Sequence, residues 1–185
     1  MKEATFSQAR HLLDLVEDIV VPATTKFIAR EKFVVNTKHS ARVKISFIGN
    51  NFAEWFLNGD GKVEEPRSET KLHYHKLLEY SVDGPIIQEL GGEEKAETAL
   101  SETFFLMERQ KHGDAGVLLN NGYSNIFYVR DQADVLRAVY VHWDDDGWRV
   151  NAHSVLNPDR WGNGYQVFSR NSVLESLETL ASARA

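Results

Sequence analysis

In the N-terminal segment the apolar positions Phe6, Ala9, Leu12, Leu13, Val16, Ile19 and Val20 recur three and four residues apart, as one stripe of a helix does. Thr5-Phe6-Ser7-Gln8 has the spacing of a capping box, and Pro22 ends the pattern. The spacing predicts a helix up to Pro22 and a second, short one over 23–31, where Phe27 and Ile28 are flanked by Lys26, Arg30 and Glu31. The period then drops to two. Val43, Ile45 and Phe47 alternate with Lys44 and Ser46, the signature of a half-buried strand that stops at Gly49-Asn50-Asn51. From Asn58 to Ser68 the chain is polar and rich in turn formers, which predicts a surface loop and the one place for a domain boundary.

Ala96, Ala99, Leu100, Thr103, Phe104 and Met107 line one face of a helix over 94–111, with Gly113 as its stop. Asn121-Gly122, between Val117-Leu118-Leu119 and Ile126-Phe127-Tyr128-Val129, is a strong hairpin signal. Asp131 to Asp134 reads as a second turn, and Asp144-Asp145-Asp146-Gly147 as a four-residue hairpin loop between strands over 135–143 and 148–155. These runs predict a four-stranded antiparallel meander. After it come Tyr165-Gln166-Val167-Phe168 and a closing helix through Leu174, Leu177 and Leu180, capped by Asn171 or Ser172. Helices followed by strands, without regular alternation, give a single α+β domain over 1–185. Its N-terminal helices and mid-chain helix are expected to pack on the C-terminal antiparallel meander.

The last hairpin fixes its own register. With Trp143 opposite Trp148, Val141 faces Val150 and Val139 faces Ala152, all on one apolar side. The other side pairs His142 with Arg149 and Tyr140 with Asn151, and sets His153 opposite Ala138. It is either a solvated outer face or a polar recognition surface.

Composition narrows the function classes. The chain has 185 residues, 42% hydrophobic, enough for a core, and a net charge of −6 that argues against a generally basic nucleic-acid binder. Its basic interval, Arg42, Lys44, Lys62, Arg67 and Lys71, is interrupted by Glu64, Glu65 and Glu69, so a nucleic-acid partner is not expected. The absence of cysteine removes disulfides, thiolate metal sites and a Cys nucleophile. No apolar core of a signal peptide and no run long enough to span a bilayer occurs, so a cytoplasmic location away from membranes is expected.

Little in the chain spells out chemistry. His73-Tyr74-His75 is the one close histidine pair; on a strand both rings project to the same face and could share a divalent transition metal, with Glu79, Asp83 or His142 completing the set. Asp144-Asp145-Asp146-Gly147 lacks the EF-hand spacing, and no phosphate loop, nucleophile elbow or zinc helix is present. Trp161 and Tyr165 lie in a loop-like stretch, where such rings either stack on a sugar, a base or a partner or close one end of the core. The resulting reading is a non-catalytic binding or interaction module for a protein or a small polar ligand, without a cofactor. Its binding residues are Tyr140, His142, Arg149, Asn151, His153, Trp161 and Tyr165. The alternatives are a metal-assisted, phosphodiesterase-like hydrolase using His73 and His75, and a self-associating structural protein that forms a homodimer. Whether the chain is an enzyme is left open by the sequence.

Overall fold

The computed structural model describes residues 11–171. It corrects the α+β reading: the protein is built on one large mixed sheet of seven strands with few helices, not on helices packed against a C-terminal meander. In chain order the elements are β1 (Leu13–Val21), β2 (Phe27–Ile28), α1 (Ala29–Lys32), β3 (Ile45–Ile48), α2 (Asn50–Phe52), running on into a π-helical turn (Ala53–Leu57), and β4 (Val63–Glu64). Then follow β5 (Thr70–Leu77), α3 (Asp83–Glu89), α4 (Glu93–Ala96), α5 (Leu100–Arg109), β6 (Asn125–Arg130), β7 (Leu136–Asp144), β8 (Gly147–Ser154) and β9 (Gln166–Ser169). The sheet order is β1-β5-β9-β6-β7-β8-β3, and β2 pairs with β4 in a small second sheet.

The N-terminal helix is a strand. Residues 13–21 pair antiparallel with β5, and the ladder slips between Leu15 and Glu17. A bulge there flips the side-chain parity. Leu13 therefore enters the core on one face of the sheet, whereas Ile19 and Val21 enter the core on the other. A strand that changes face midway has no clean period of two, and its apolar positions imitate a helical stripe. The short helix over 23–31 shrinks to α1, preceded by β2. The capping box at Thr5-Gln8 and the closing helix through Leu174 lie outside the described residues.

Both faces of the sheet are covered. On one, α5, α2 and the small sheet bring an aromatic cluster in which Phe33 meets Phe27, Phe52 and Phe104 edge-on, against Phe127, Val139, Val141 and Trp148. On the other, Ile86 and Ile87 of α3, Leu90 at its C-cap, Ala96 of α4 and Trp161 cover Leu77, Ile126, Tyr128 and Val167. The helix expected over 94–111 is broken at Glu97–Ala99, where Thr98 turns its N–H and its hydroxyl to the Tyr128 carbonyl. The buried Glu64 carboxylate then accepts the N–H groups of Leu100 and Ser101, satisfying two donors that open α5. The 58–68 segment thus holds, besides its turns, a strand and a long-range helix cap.

The β7–β8 hairpin has the expected register at every pair, from Trp143 opposite Trp148 to Ala138 opposite His153. Asp144 pairs with Gly147, so the turn is two residues shorter than the four-residue loop read from sequence, and Asp144 Oδ1 accepts the Asp146 N–H. The meander has three strands, not four. Asn121-Gly122 does turn, with Gly122 at φ +87°, but Val117–Leu119 is not a strand. Its backbone is satisfied by side chains instead: Gln110 bonds both the N–H and the carbonyl of Leu118, and the Asn125 amide does the same for Leu119. Parallel partners then complete the sheet, β9 beside β6 and β3 beside β8.

α5 stops at Arg109 with Gln110 as its C-cap, short of the expected stop at Gly113; Gly113 instead closes the next turn at φ +73°, its N–H on the Gln110 carbonyl. The Trp143 indole lies directly on this glycine: an added Cβ would stand 2.2 Å from Trp143 Cε2. Gly113→Ala combines a left-handed backbone with this overlap, and is expected to lower unfolding free energy by about 2 kcal/mol, read by urea titration. A loss under about 0.5 kcal/mol would show that the Trp143 ring is free to move aside.

Candidate functional site

Where β8 meets the start of α2, the polar side of the β7–β8 hairpin opens into a cleft of about 510 Å³. This lies in the size range of small-molecule sites. Four segments build it, one of them Ser124 just ahead of β6. The hairpin supplies Tyr140, Asn151 and His153; the turn into α2 supplies Gly49, Asn50 and Asn51; the connection from β8 to β9 supplies Asn157, Asp159, Arg160, Trp161 and Tyr165. Five of the seven residues read as a binding surface are thus neighbours. The other two are placed elsewhere: Arg149 lies over the Phe47 ring, 4.3 Å from its centroid, and bonds Asp144, while His142 sits opposite it near the hairpin turn. Burial, and after it the Arg149 charge, holds the His142 imidazole below its usual range.

Beneath the cleft lies Asp83, in the first turn of α3, with no exposed surface. Its Oδ1 accepts the Trp161 indole N–H at 2.7 Å and the Tyr128 hydroxyl at 2.9 Å; its Oδ2 stands 3.1 Å from His153 Nε2. On the far side of the ring, Asn157 Nδ2 is 2.9 Å from His153 Nδ1. The Asn157 oxygen accepts the Asp159 N–H, which orients the amide so that its nitrogen donates to His153. His153 Nδ1 is therefore the acceptor, and Nε2–H donates to Asp83. Every donor in this chain has an acceptor. The buried carboxylate fixes the tautomer, the ring and the loop together.

The aromatic groups fall into two kinds. Trp161 is 6% exposed, with His153 at 4.6 Å and Tyr140 edge-on at 5.0 Å, so it closes the core and shows the cleft only an edge. Tyr140 and Tyr165 are half-buried, and no hydrogen bond joins either hydroxyl to a described residue. Burial, with Asp159 and Tyr165 nearby, raises the Tyr140 phenol above its usual range and keeps it a donor. The side chains of Asn151, Asn50 and Ser124 likewise form no hydrogen bond with the described residues. The cleft thus combines a rigid, internally satisfied floor with walls whose neutral donors and acceptors are free.

Gly49 sets the position of one wall. Its N–H bonds the Val150 carbonyl, and a Cβ added to it would stand 2.5 Å from Asn151 Oδ1. In the sequence Gly49-Asn50-Asn51 reads only as punctuation and Asp83 only as an optional metal ligand. Asn157 was missed as well, although its place before Pro158 in a turn-rich run marks it as a loop anchor.

The histidine pair lies apart from the cleft. His73 and His75 do share one face of β5, but each is already engaged. His73 Nδ1 is 2.6 Å from Asp18 Oδ1, and His75 is hydrogen-bonded to the Val167 backbone. Among the described residues no group of three or more His, Asp or Glu side chains is arranged to hold a metal ion. Asp83, one of the three ligands suggested to complete the set, is committed to Trp161, Tyr128 and His153. No helix among the described residues is long and apolar enough to cross a membrane. Set against known protein families, curated proteins and solved structures, the chain matches none.

Proposed function

We propose that the chain is a non-catalytic binding module that seats a small polar ligand in the cleft between the β7–β8 hairpin and the β8–β9 connection. One observation carries the reading: Tyr140, Tyr165, Asn151, Asn50 and Ser124 line a single cleft with unused neutral hydrogen-bonding groups, above a floor that is fully satisfied. Such a division suits recognition, because the walls exchange water for ligand while the floor holds its geometry. Binding is favoured over catalysis by the state of His153. Both of its ring nitrogens are engaged within the protein, Nε2 with Asp83 and Nδ1 with Asn157, an arrangement that holds the ring in place rather than presenting a nitrogen to the cleft.

A fragment library screened by ¹H–¹⁵N correlation spectra tests this directly. Hits are expected to move the Trp161 indole signal and the side-chain amides of Asn151 and Asn157 together. Hits that cluster on another surface, or none that touch these signals, would overturn the reading. Gly49→Ala is a second check. Only the end of the Asn151 side chain blocks the new methyl, so stability should fall by less than about 1 kcal/mol, while cleft ligands weaken about tenfold as the amide is displaced. Unchanged affinity would remove Asn151 from the site.

A further inference from the structure

We infer that the ligand class of this cleft is a neutral saccharide, bound with its ring against Tyr165 and its hydroxyls among the Tyr140, Asn151, Asn50 and Ser124 side chains. The inference rests on the reading of the cleft as a ligand site and names what it takes.

Charge comes first. The side chains that bring charge to the rim are Asp159 and Arg160, one of each sign and adjacent in the chain, and the carboxylate of Asp83 below is taken up by three donors. A phosphate or carboxylate ligand needs an excess of cationic donors, and a cationic ligand needs an excess of carboxylates or an open aromatic box. Asp159 and Arg160 offset each other and leave neither excess, so the cleft matches a ligand with no net charge.

The free groups then specify what that ligand offers. Tyrosine and serine hydroxyls both donate and accept, and an asparagine amide has two donors and a two-lone-pair acceptor side by side. This set answers a ligand whose own groups are also donor and acceptor at once, and several of them. Vicinal hydroxyls of a sugar have that character. A nucleobase edge, with its fixed alternation of donors and acceptors, needs fewer groups in a set order.

The aromatic arrangement agrees. A flat base is best held between two parallel rings, and the cleft has no such slot. Trp161 is occupied on its sides by His153 and Tyr140, while Tyr165 leans on Gly162 and tilts against Tyr123, their centroids 5.5 Å apart. One half-buried ring at the mouth of a polar cleft suits a pyranose, whose C–H face is apolar and whose edge is wet.

The test is a titration of the ¹⁵N-labelled chain with neutral disaccharides (cellobiose, maltose, lactose and chitobiose), and separately with adenosine and with glucose 6-phosphate. At least one disaccharide is expected to move the Asn151 and Trp161 signals in a saturable way. Tyr165→Ala and Asn151→Ala should each weaken it about tenfold with the thermal midpoint kept within a few degrees. If Tyr165→Ala fails to fold, Asn151→Ala still decides. Glucose 6-phosphate binding more tightly than any neutral sugar would overturn the inference, as would adenosine saturating the cleft when no disaccharide does. In both cases the cleft would remain a ligand site. If disaccharides fail and the fragment screen also leaves the cleft signals still, the binding reading falls with the saccharide.

Discussion

Asp83→Ala is expected to cost about 3–5 kcal/mol of unfolding free energy, enough to unfold much of a marginal domain. The carboxylate is fully buried and receives the Trp161 indole, the Tyr128 hydroxyl and the His153 ring. Its loss orphans the buried Tyr128 hydroxyl and Trp161 indole and leaves His153, at the cleft, without its anchor, at roughly 1–3 kcal/mol for each group that stays unpaired. Asp83→Asn separates shape from charge. The Asn oxygen can still accept from Trp161 and Tyr128, but its NH₂ would face the Nε2–H of His153. The ring would then have to take its other tautomer and surrender the bond from Asn157. The Asn variant should therefore keep most of the stability, about 1–2 kcal/mol down, yet loosen the β8–β9 connection. Guanidinium titration reads the first effect and amide hydrogen exchange at Asn157–Trp161 the second. Equal losses for both variants would refute the tautomer argument.

The second large effect is in pH. His75 is fully buried in β5, between β1 and β9, and burial holds its imidazole down to about 4 from the usual 6.5. In the unfolded chain the ring takes up a proton below pH 6.5; in the folded chain it does so only near pH 4. Stability is therefore full above pH 6.5, falls as the pH drops through that window, and levels off near pH 4, with a loss on the order of 3 kcal/mol. A further decline follows below about pH 3.8. Burial pushes the Asp131 carboxyl up, but the Val135 and Ala133 N–H groups and Arg137 outweigh it and hold the group below its usual range. Denaturant unfolding at pH 7 and pH 4.5 measures the first step. His75→Gln should remove His75's share of it, whatever it does to stability at pH 7, leaving what the likewise depressed His142 contributes in the same window. A slope undiminished in the variant would assign the step to another histidine.

The register of the β7–β8 hairpin was legible, although its turn proved two residues shorter than read, because its code is local. Paired tryptophans, a turn of Asp and Gly, and clean alternation fix the register within a dozen residues or so. Its polar side then led straight to Tyr140, Asn151 and His153. The rest depended on partners far along the chain. β1 was hidden by its own bulge, which placed Leu13 in one core and Ile19 in the other, so no single period described it. Val117–Leu119 has the composition of a strand, but Gln110 and Asn125 took its hydrogen bonds. Arg149 and His142 belonged to the polar side of the hairpin by parity, yet Phe47 and Asp144 hold Arg149 near the turn, and position along a strand, unlike face, cannot be read from alternation. Asp83 was the largest gap. A lone aspartate ahead of Gly84 and Pro85 looks like a helix start, and only the fold brings Tyr128, His153 and Trp161 onto it.

The place of β9 in the sheet also has a consequence for how the chain is made. Until β9 arrives, β5 with β1 and β6 with β7, β8 and β3 share no strand pairing; β9 is the seam between them. Because Gln166–Ser169 follows all the other strands, a nascent polypeptide holds two half-sheets with raw edges at β5 and β6 until that segment emerges. The β6 edge, with Ile126, Phe127, Tyr128 and Val129, is rich in β-branched and aromatic side chains, a combination that invites pairing with the wrong strand. The same late segment brings Trp161 and Tyr165 to the cleft, so a chain stalled before residue 161 would lack its site and its seam together.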